Sequence, residues 1–431
     1  MSDKIPHQPS CADPFEEDMI SLSEALTRIE GRVVPVHACE RLPIRQCLNR
    51  VNNEAVKSPL NVPPLPNSAM DGYAIAIDSL VADSIVELEE IGSAYAGVPF
   101  MQDCGPGQCV RIMTGALIPS GTDTVVMQEQ VQLGEDGRIR IDSDHRAGEN
   151  IRQAGEDVQR GEIVLEAGVR LNPADLGVLA SLGLSQLQVK RKPVVAFFST
   201  GDELMPVGKP LEPGMIYDSN RYSLYGMLKH LPVDVLDLGV VRDDEAELER
   251  VLRGAAETCD AIVSSGGVSM GDFDYVKVVL DRIGDMRWMQ VAIKPAKPLA
   301  FGRIGGVPVF GLPGNPVSSM VSFELFARPA LRAMSGHAEI DRTCIRADVV
   351  GGLPRHADGK VHFARVGVEV VDGRFRVRSA GGQGSHQLTA MAAAGGLAVL
   401  PDGDGIPDGG EVDVLLLGCV GSFHTCPLLT L

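Results

Sequence analysis

The sequence predicts a multidomain α/β plus β fold: a central doubly wound, mostly parallel α/β domain, an N-terminal β-rich domain with a small helical region, and a C-terminal β-barrel. Three observations carry this expectation. A chain of 431 residues exceeds what one ordinary core accommodates. Apolar runs alternate with helical patterns between residues 190 and 335. On either side the pattern breaks into short segments punctuated by Pro and Gly, of which the chain has 28 and 48. The expected division is 19–50 with 160–190 as a helical or linker domain, 51–159 as the β-rich domain, 191–336 as the α/β domain and 337–431 as the barrel.

Taken in order, Ser21 or Ser23 ahead of an apolar-periodic run, with Glu24 near its start, predicts a capped amphipathic helix over 19–30. A second helix fits 41–48. Segments 85–90, 109–113 and 124–130 read as strands of the β-rich region. Asn172 as N-cap and Pro173 in the first turn predict a short helix over 173–183. In the central region, strands at 194–198, 233–238, 261–265, 288–293, 299–301 and 307–312 alternate with helices at 220–230, 245–257 and 274–283, and a helix over 317–334 closes the domain. That order implies a mainly parallel sheet covered on both faces. Past Gly336 strands return, and 366–371 and 375–378 flank Asp372-Gly373, a two-residue hairpin signal.

A formal charge of −18 and a pI near 4.9 exclude nucleic acid and anionic membrane surfaces as main partners, because both are bound by surplus Lys and Arg. An anionic substrate would need basic residues concentrated in one cleft. No apolar stretch approaches the roughly 18 residues that span a bilayer, and the first 18 residues show no secretory pattern. Nine cysteines without a C-x-x-C pair predict reduced thiols and a cytoplasmic protein. The nine histidines show no zinc spacing, so any metal is expected to be a hard cation on carboxylates.

In open α/β sheets ligands bind beyond the carboxyl ends of the strands. Three such loops carry carboxylates here: Ser199-Thr200-Gly201-Asp202-Glu203, Gly239-Val240-Val241-Arg242-Asp243-Asp244, and Gly266-Gly267-Val268-Ser269-Met270-Gly271-Asp272-Phe273-Asp274. Glycines and serines from Ser265 to Gly271 let backbone N–H groups approach a phosphate, and the neighbouring carboxylates suit Mg²⁺ bridging phosphate oxygens. A plain strand-to-helix turn would read the same way in isolation. Lys294-Pro295-Ala296-Lys297-Pro298 supplies two fixed cations for an oxyanion or diphosphate, and Gly311-Leu312-Pro313-Gly314-Asn315-Pro316 opens a helix nearby in the sequence. There is no P-loop or dinucleotide fingerprint. Outside this domain, Asp71 in the Pro-rich 63–74 loop is a candidate acid, and Thr114 in Arg111-Ile112-Met113-Thr114-Gly115-Ala116 a candidate hydroxyl.

Together these motifs resemble the molybdopterin molybdenumtransferase family, the bacterial MoeA proteins and the gephyrin E-domain, over residues 20–425. The most specific element is the Ser265 to Tyr275 run, supported by 67–74, 113–116, 126–129, 199–204, 216–220, 294–298 and 311–317. The resemblance implies a Mg²⁺-dependent homodimer that inserts molybdate into an adenylylated molybdopterin dithiolate and releases AMP. It implies an active site between the α/β domain of one subunit and the Pro-rich β domain of the other. It also implies transient contacts with molybdopterin adenylyltransferase and molybdopterin synthase. Carried over by position, Asp71, Glu203, Asp243 and Asp274 are catalytic, with Asp243 and Asp274 also on the metal. Thr114, Ser265, Gly266, Gly267, Ser269, Lys294, Lys297 and Pro298 bind the ligands. This sequence has Gln290 where members often carry Lys, and Ala296 where they carry Gly, leaving Arg303 or the remaining lysines to replace the lost charge. The alternatives are a molybdopterin adenylyltransferase, which shares the α/β domain, and a non-catalytic dimeric scaffold of the gephyrin E-domain type.

Overall fold

The computed structural model describes residues 19–267 and 275–418, and the chain forms two compact units, Arg41–Val189 and Met1–Glu40 with Lys190–Leu431.

The Arg41–Val189 unit is built on a six-stranded sheet in the order Thr124–Met127, Gly72–Ile75, Gln108–Ile112, Val86–Ala94, Ile139–Ile141, Gln132–Leu133. Gly72–Ile75, next to the edge strand, is wholly buried, with antiparallel partners on both sides. A Cβ on Gly72 would lie 2.0 Å from the Val126 carbonyl oxygen, so only glycine allows this pairing. The helix Pro173–Ser181 carries the expected cap: the Asn172 side chain accepts from the Ala174 and Asp175 N–H groups, and Asp175 accepts from Asn172 N–H. The helix expected over 41–48 does not form. Cys39–Pro43 is a strand and Ile44–Gln46 a single 3₁₀ turn, because Pro43 holds the chain extended before it and lacks a helical donor.

The second unit contains the α/β sheet. Its elements are β1 (Val194–Thr200), α1 (Ser219–Lys229), β2 (Asp234–Val241), α2 (Glu245–Thr258), β3 (Ala261–Ser265), α3 (Tyr275–Ile283), β4 (Asp285–Gln290), β5 (Pro298–Ile304), β6 (Val307–Leu312) and α4 (Pro316–Ser322). The strand order is β2-β1-β3-β6-β5-β4. β2, β1, β3 and β6 are parallel, and β5 and β4 add an antiparallel edge. Successive residues of β1 serve opposite faces, as a strand requires. Phe197 packs with Leu224 and Leu228 of α1 and Val317 and Val321 of α4. Phe198 packs with Leu248 and Leu252 of α2 and Val279 and Leu280 of α3. The helix Leu22–Glu30, capped by Ser21 accepting from Glu24 N–H, adds Ala25 and Ile29 to the first face.

Two expected elements are subdivided. The 288–293 strand ends at Gln290, and Ile293–Lys294 pairs instead with Val361–Val371. The closing helix consists of α4, a wide turn at Phe323–Ala327 and the helix Arg328–Met334. Pro329 provides the reason, since a proline inside a helix removes a donor and crowds the preceding turn.

Past residue 343 five strands close into a barrel. Val361–Val371 pairs with Arg374–Ser379 and Gly396–Leu400, and Cys344–Val349 and Glu411–Leu416 complete the ring. The hairpin turn is the expected Asp372-Gly373, with φ of 50° and 77°. Among the described residues no helix is long and apolar enough to cross a membrane.

Candidate functional site

β1 connects to β2 on one side and neighbours β3 on the other, so the chain reverses its direction of winding between β1 and β3. A cavity of about 370 Å³ opens beyond the carboxyl ends of these strands, where such a switch point separates the loops. Ser199, Thr200, Glu203, Asp218, Asn220, Asp243, Ser265, Gly266, Gly267 and Gly314 line it, so five of the expected site residues, Glu203, Asp243, Ser265, Gly266 and Gly267, meet there.

The glycine loop is required by close approach. Gly266 has φ of 92°, and a Cβ there would lie 2.7 Å from the Thr200 carbonyl oxygen. The Gly266 N–H donates to Leu312 O at 3.0 Å, tying the loop to β6. Ser269 and Asp274 lie outside the described residues.

Three carboxylates, Glu203, Asp218 and Asp243, border the cavity, and no basic side chain does among the described residues. Asp218 is engaged: it caps α1, accepts from Ser199 Oγ at 3.0 Å and pairs with Arg221 at 3.2 Å. Asp243 accepts from the Thr200 hydroxyl, which leaves most of its acceptor capacity open. Glu203 is exposed. The hard oxygen donors of Glu203 and Asp243 fit a small divalent cation, although the described residues hold no group of three metal-ligating side chains. Mg²⁺ needs only one or two carboxylates.

Asn220, which the sequence reading placed only within a motif, is a wall residue. Its amide Nδ2 donates to Ser265 Oγ at 2.8 Å and to Gly314 O at 2.7 Å. A carbonyl can only accept, which fixes the amide orientation, and the Asn220 Oδ1 is left buried without a hydrogen bond. The Asp218-Ser219-Asn220 cap signature is the signal that could have found it.

The lysines are held elsewhere in the same unit. Lys294 is exposed and paired in register with His362 of the barrel, Lys297 is only 4% exposed, and Pro298 opens β5 opposite Gln290. None of the three lines the cavity. Arg303 stands opposite Asp285, at the other end of β5 from Pro298, and donates to the Arg32 carbonyl. It therefore does not replace charge at Gln290. A cation not singled out in the sequence is Arg365, 1% exposed, which donates to Gly382 O and Gly384 O and keeps its Nε buried without a partner. The adjoining Ser385 carbonyl accepts from Val317 N–H at the start of α4.

In the Arg41–Val189 unit, Asp71 and Thr114 meet directly. Asp71 Oδ1 accepts from Thr114 N–H at 2.7 Å and from its hydroxyl at 2.8 Å. The Thr114 backbone N–H, then its hydroxyl, hold the Asp71 carboxyl below its ordinary value of 3.8, with a smaller contribution from Arg111.

The sequence matches family descriptions in three consecutive stretches: "MoeA N-terminal region (domain I and II)" over 20–183, "Probable molybdopterin binding domain" over 196–333 and "MoeA C-terminal region (domain IV)" over 354–417. A molybdopterin molybdenumtransferase of Haemophilus influenzae is 39% identical over 91% of this chain and 97% of its own length. One from Bacillus subtilis is 33% identical over 88% and 90%. Gephyrin of Dictyostelium discoideum is 31% identical over 89% of this chain and 60% of its own. The crystal structure of a molybdopterin biosynthesis MoeA protein from Pyrococcus horikoshii superposes with a TM-score of 0.79 at 29% identity, covering 92% of this chain and all of the other.

Proposed function

Because this chain belongs to the molybdopterin molybdenumtransferase family, we propose that it inserts molybdate into adenylylated molybdopterin dithiolate and cleaves the pterin–AMP phosphoanhydride to release AMP. The observation that carries the reading is the cavity at the sheet's switch point, where Glu203, Asp243, Ser265, Gly266 and Gly267 converge. Phosphate oxygens are held by glycine-loop N–H groups other than that of Gly266, which donates to Leu312, and the Ser265 hydroxyl, fixed by Asn220, faces the same space. Asp243, with Asp274, would hold Mg²⁺, which would supply charge neutralisation at the phosphates. Glu203, exposed and close to Gly201, positions substrate or water. Lys294 and Lys297 bind the molybdate anion, and Asp71 stays ionised against Thr114, ready to orient a donor. The same proposal includes homodimerisation, with Asp71 and Thr114 contributed by a second copy, a cytoplasmic location, and transient contacts with molybdopterin synthase and adenylyltransferase.

The test is a stopped assay in which molybdate and Mg²⁺ are added to protein loaded with adenylylated pterin and AMP is measured. Asp243→Asn should lower AMP release on the order of 100-fold or more, as expected for a group that stabilises developing charge. Release at the unmodified rate would remove Asp243 from the site, and ATP consumption in place of AMP release would favour an adenylyltransferase. Dimerisation without either activity would favour a scaffold.

A further inference from the structure

At the β4 edge of the sheet, with β6 and β5 between it and β3, lies a second cavity of about 220 Å³ lined by Arg28, Arg32, Arg287, Met289 and Phe301. Arg28 and Arg32 come from the end of the helix Leu22–Glu30 and the turn after it. Arg287 and Met289 are two apart on β4 and share a face, and Phe301 stands opposite Arg287 on β5. Met289 and Phe301 pack in the same core cluster as Ala25 and Ile29, so the cavity has an apolar floor beneath an arginine rim.

Among the described residues, the carboxylates do not saturate this rim. Arg28 pairs with Glu24 on its own helix. Asp285 is shared between Arg32 at 2.9 Å and Arg287 at 3.1 Å. Arg303 stands behind Arg32, donating to its carbonyl, with its own Nε buried and without a hydrogen bond. Among the described residues, three rim guanidinium groups, with Arg303 beside Arg32, are set against two carboxylates, a local surplus of positive charge inside a protein whose formal charge is −18. Each guanidinium has five donors, and one carboxylate contact leaves several for a ligand. All three rim arginines are partly exposed, so an anion reaches them without opening the core.

We propose that this cavity is an anion site separate from the catalytic one, taking a phosphate dianion, free or as the phosphate end of a small monoester, on the rim of Arg28, Arg32 and Arg287. Arginine forks match the planar spread of phosphate oxygens, and the surplus charge matches a dianion. The proposal is independent of the reaction assigned above.

Calorimetric titration tests it with inorganic phosphate and phenyl phosphate, both in a Lys294→Ala background that silences the expected oxyanion lysine. A saturable site is expected, and Arg28→Gln with Arg287→Gln should weaken it about tenfold or more, since charge-assisted contacts are lost. Glu24→Gln, an exposed change that frees Arg28, should tighten it. Tighter binding of phenyl phosphate identifies a monoester site, and equal binding identifies free phosphate. Absence of saturable binding, or affinity unchanged by both arginine substitutions and by Glu24→Gln, would overturn the proposal.

Discussion

Ala296 has φ of 77°, a left-handed conformation that residues with a Cβ seldom adopt, in the segment between Lys294 and Lys297. Strain there is about 1–2 kcal/mol, against about 0.5–1 kcal/mol of added unfolded-state entropy for glycine. Ala296 is also buried in the core, where its methyl contributes about 0.8 kcal/mol, so the terms nearly cancel and Ala296→Gly should leave stability within about 1 kcal/mol of the parent, read from the urea midpoint at unchanged slope. Gly266→Ala should destabilise the protein and deform the cavity, since its Cβ would meet the Thr200 carbonyl oxygen at 2.7 Å. For Asp71 the sign is fixed by its partners. The native carboxyl titrates below 3.8, so folding favours its ionised form, and that contribution is present above the ordinary carboxylate range and lost as pH falls through the native value. Carbon-detected NMR titration should show this depressed midpoint, and Thr114→Val, which removes the hydroxyl and keeps the N–H, should move it only part of the way back. The start of the glycine loop was legible because Gly266 and Gly267, with φ of 92° and 70°, are the residue type that such a turn demands. Asn220 was not, because its partners Ser265 and Gly314 are 45 and 94 residues away.

Helices and strands were legible wherever one period dominated. Leu22–Glu30, Pro173–Ser181 and Glu245–Thr258 each announce themselves by a cap residue before an apolar stripe. Two of the three failures share one residue type: Pro43 turned an expected helix into a strand and a tight turn, and Pro329 interrupts the closing helix with a wide turn; the third, the split of the 288–293 strand, follows from the pairing of Ile293–Lys294 with the barrel. At that turn Glu324 accepts from Arg342 at 2.8 Å through both oxygens and lies 3.6 Å from Arg328. Burial, then repulsion from Arg342, brings the Arg328 guanidinium down to about 10. Glu324→Gln leaves buried positive charge with a weakened counter-ion and should destabilise the protein by roughly 3 kcal/mol, measured by chemical denaturation. Glu324→Asp, which keeps the charge, should cost less.

For the whole molecule the formal charge of −18 opposes the approach of any anion, whereas the cations that would bind it are few and local. Long-range repulsion is screened over about 8 Å at physiological ionic strength. Molybdate association should therefore accelerate between about 0.01 and 0.15 M salt, as followed by stopped-flow; a monotonic slowing would mean that the local lysine field governs encounter. The multidomain composition, the mostly parallel sheet and the closed barrel were all legible from runs, periods and turns. The placement of the lysine segment was not, because it depends on a pairing between Ile293–Lys294 and a strand that begins 67 residues later, at Val361.

That pairing makes the barrel more than an appendage. Its strand Val361–Val371 sets the register of Lys294 by lying beside it, so the C-terminal module cannot be exchanged as an independent cassette. A chimera that imports a relative's barrel must import its 293–298 hinge as well, or the graft will fold and yet present its ammonium group out of alignment.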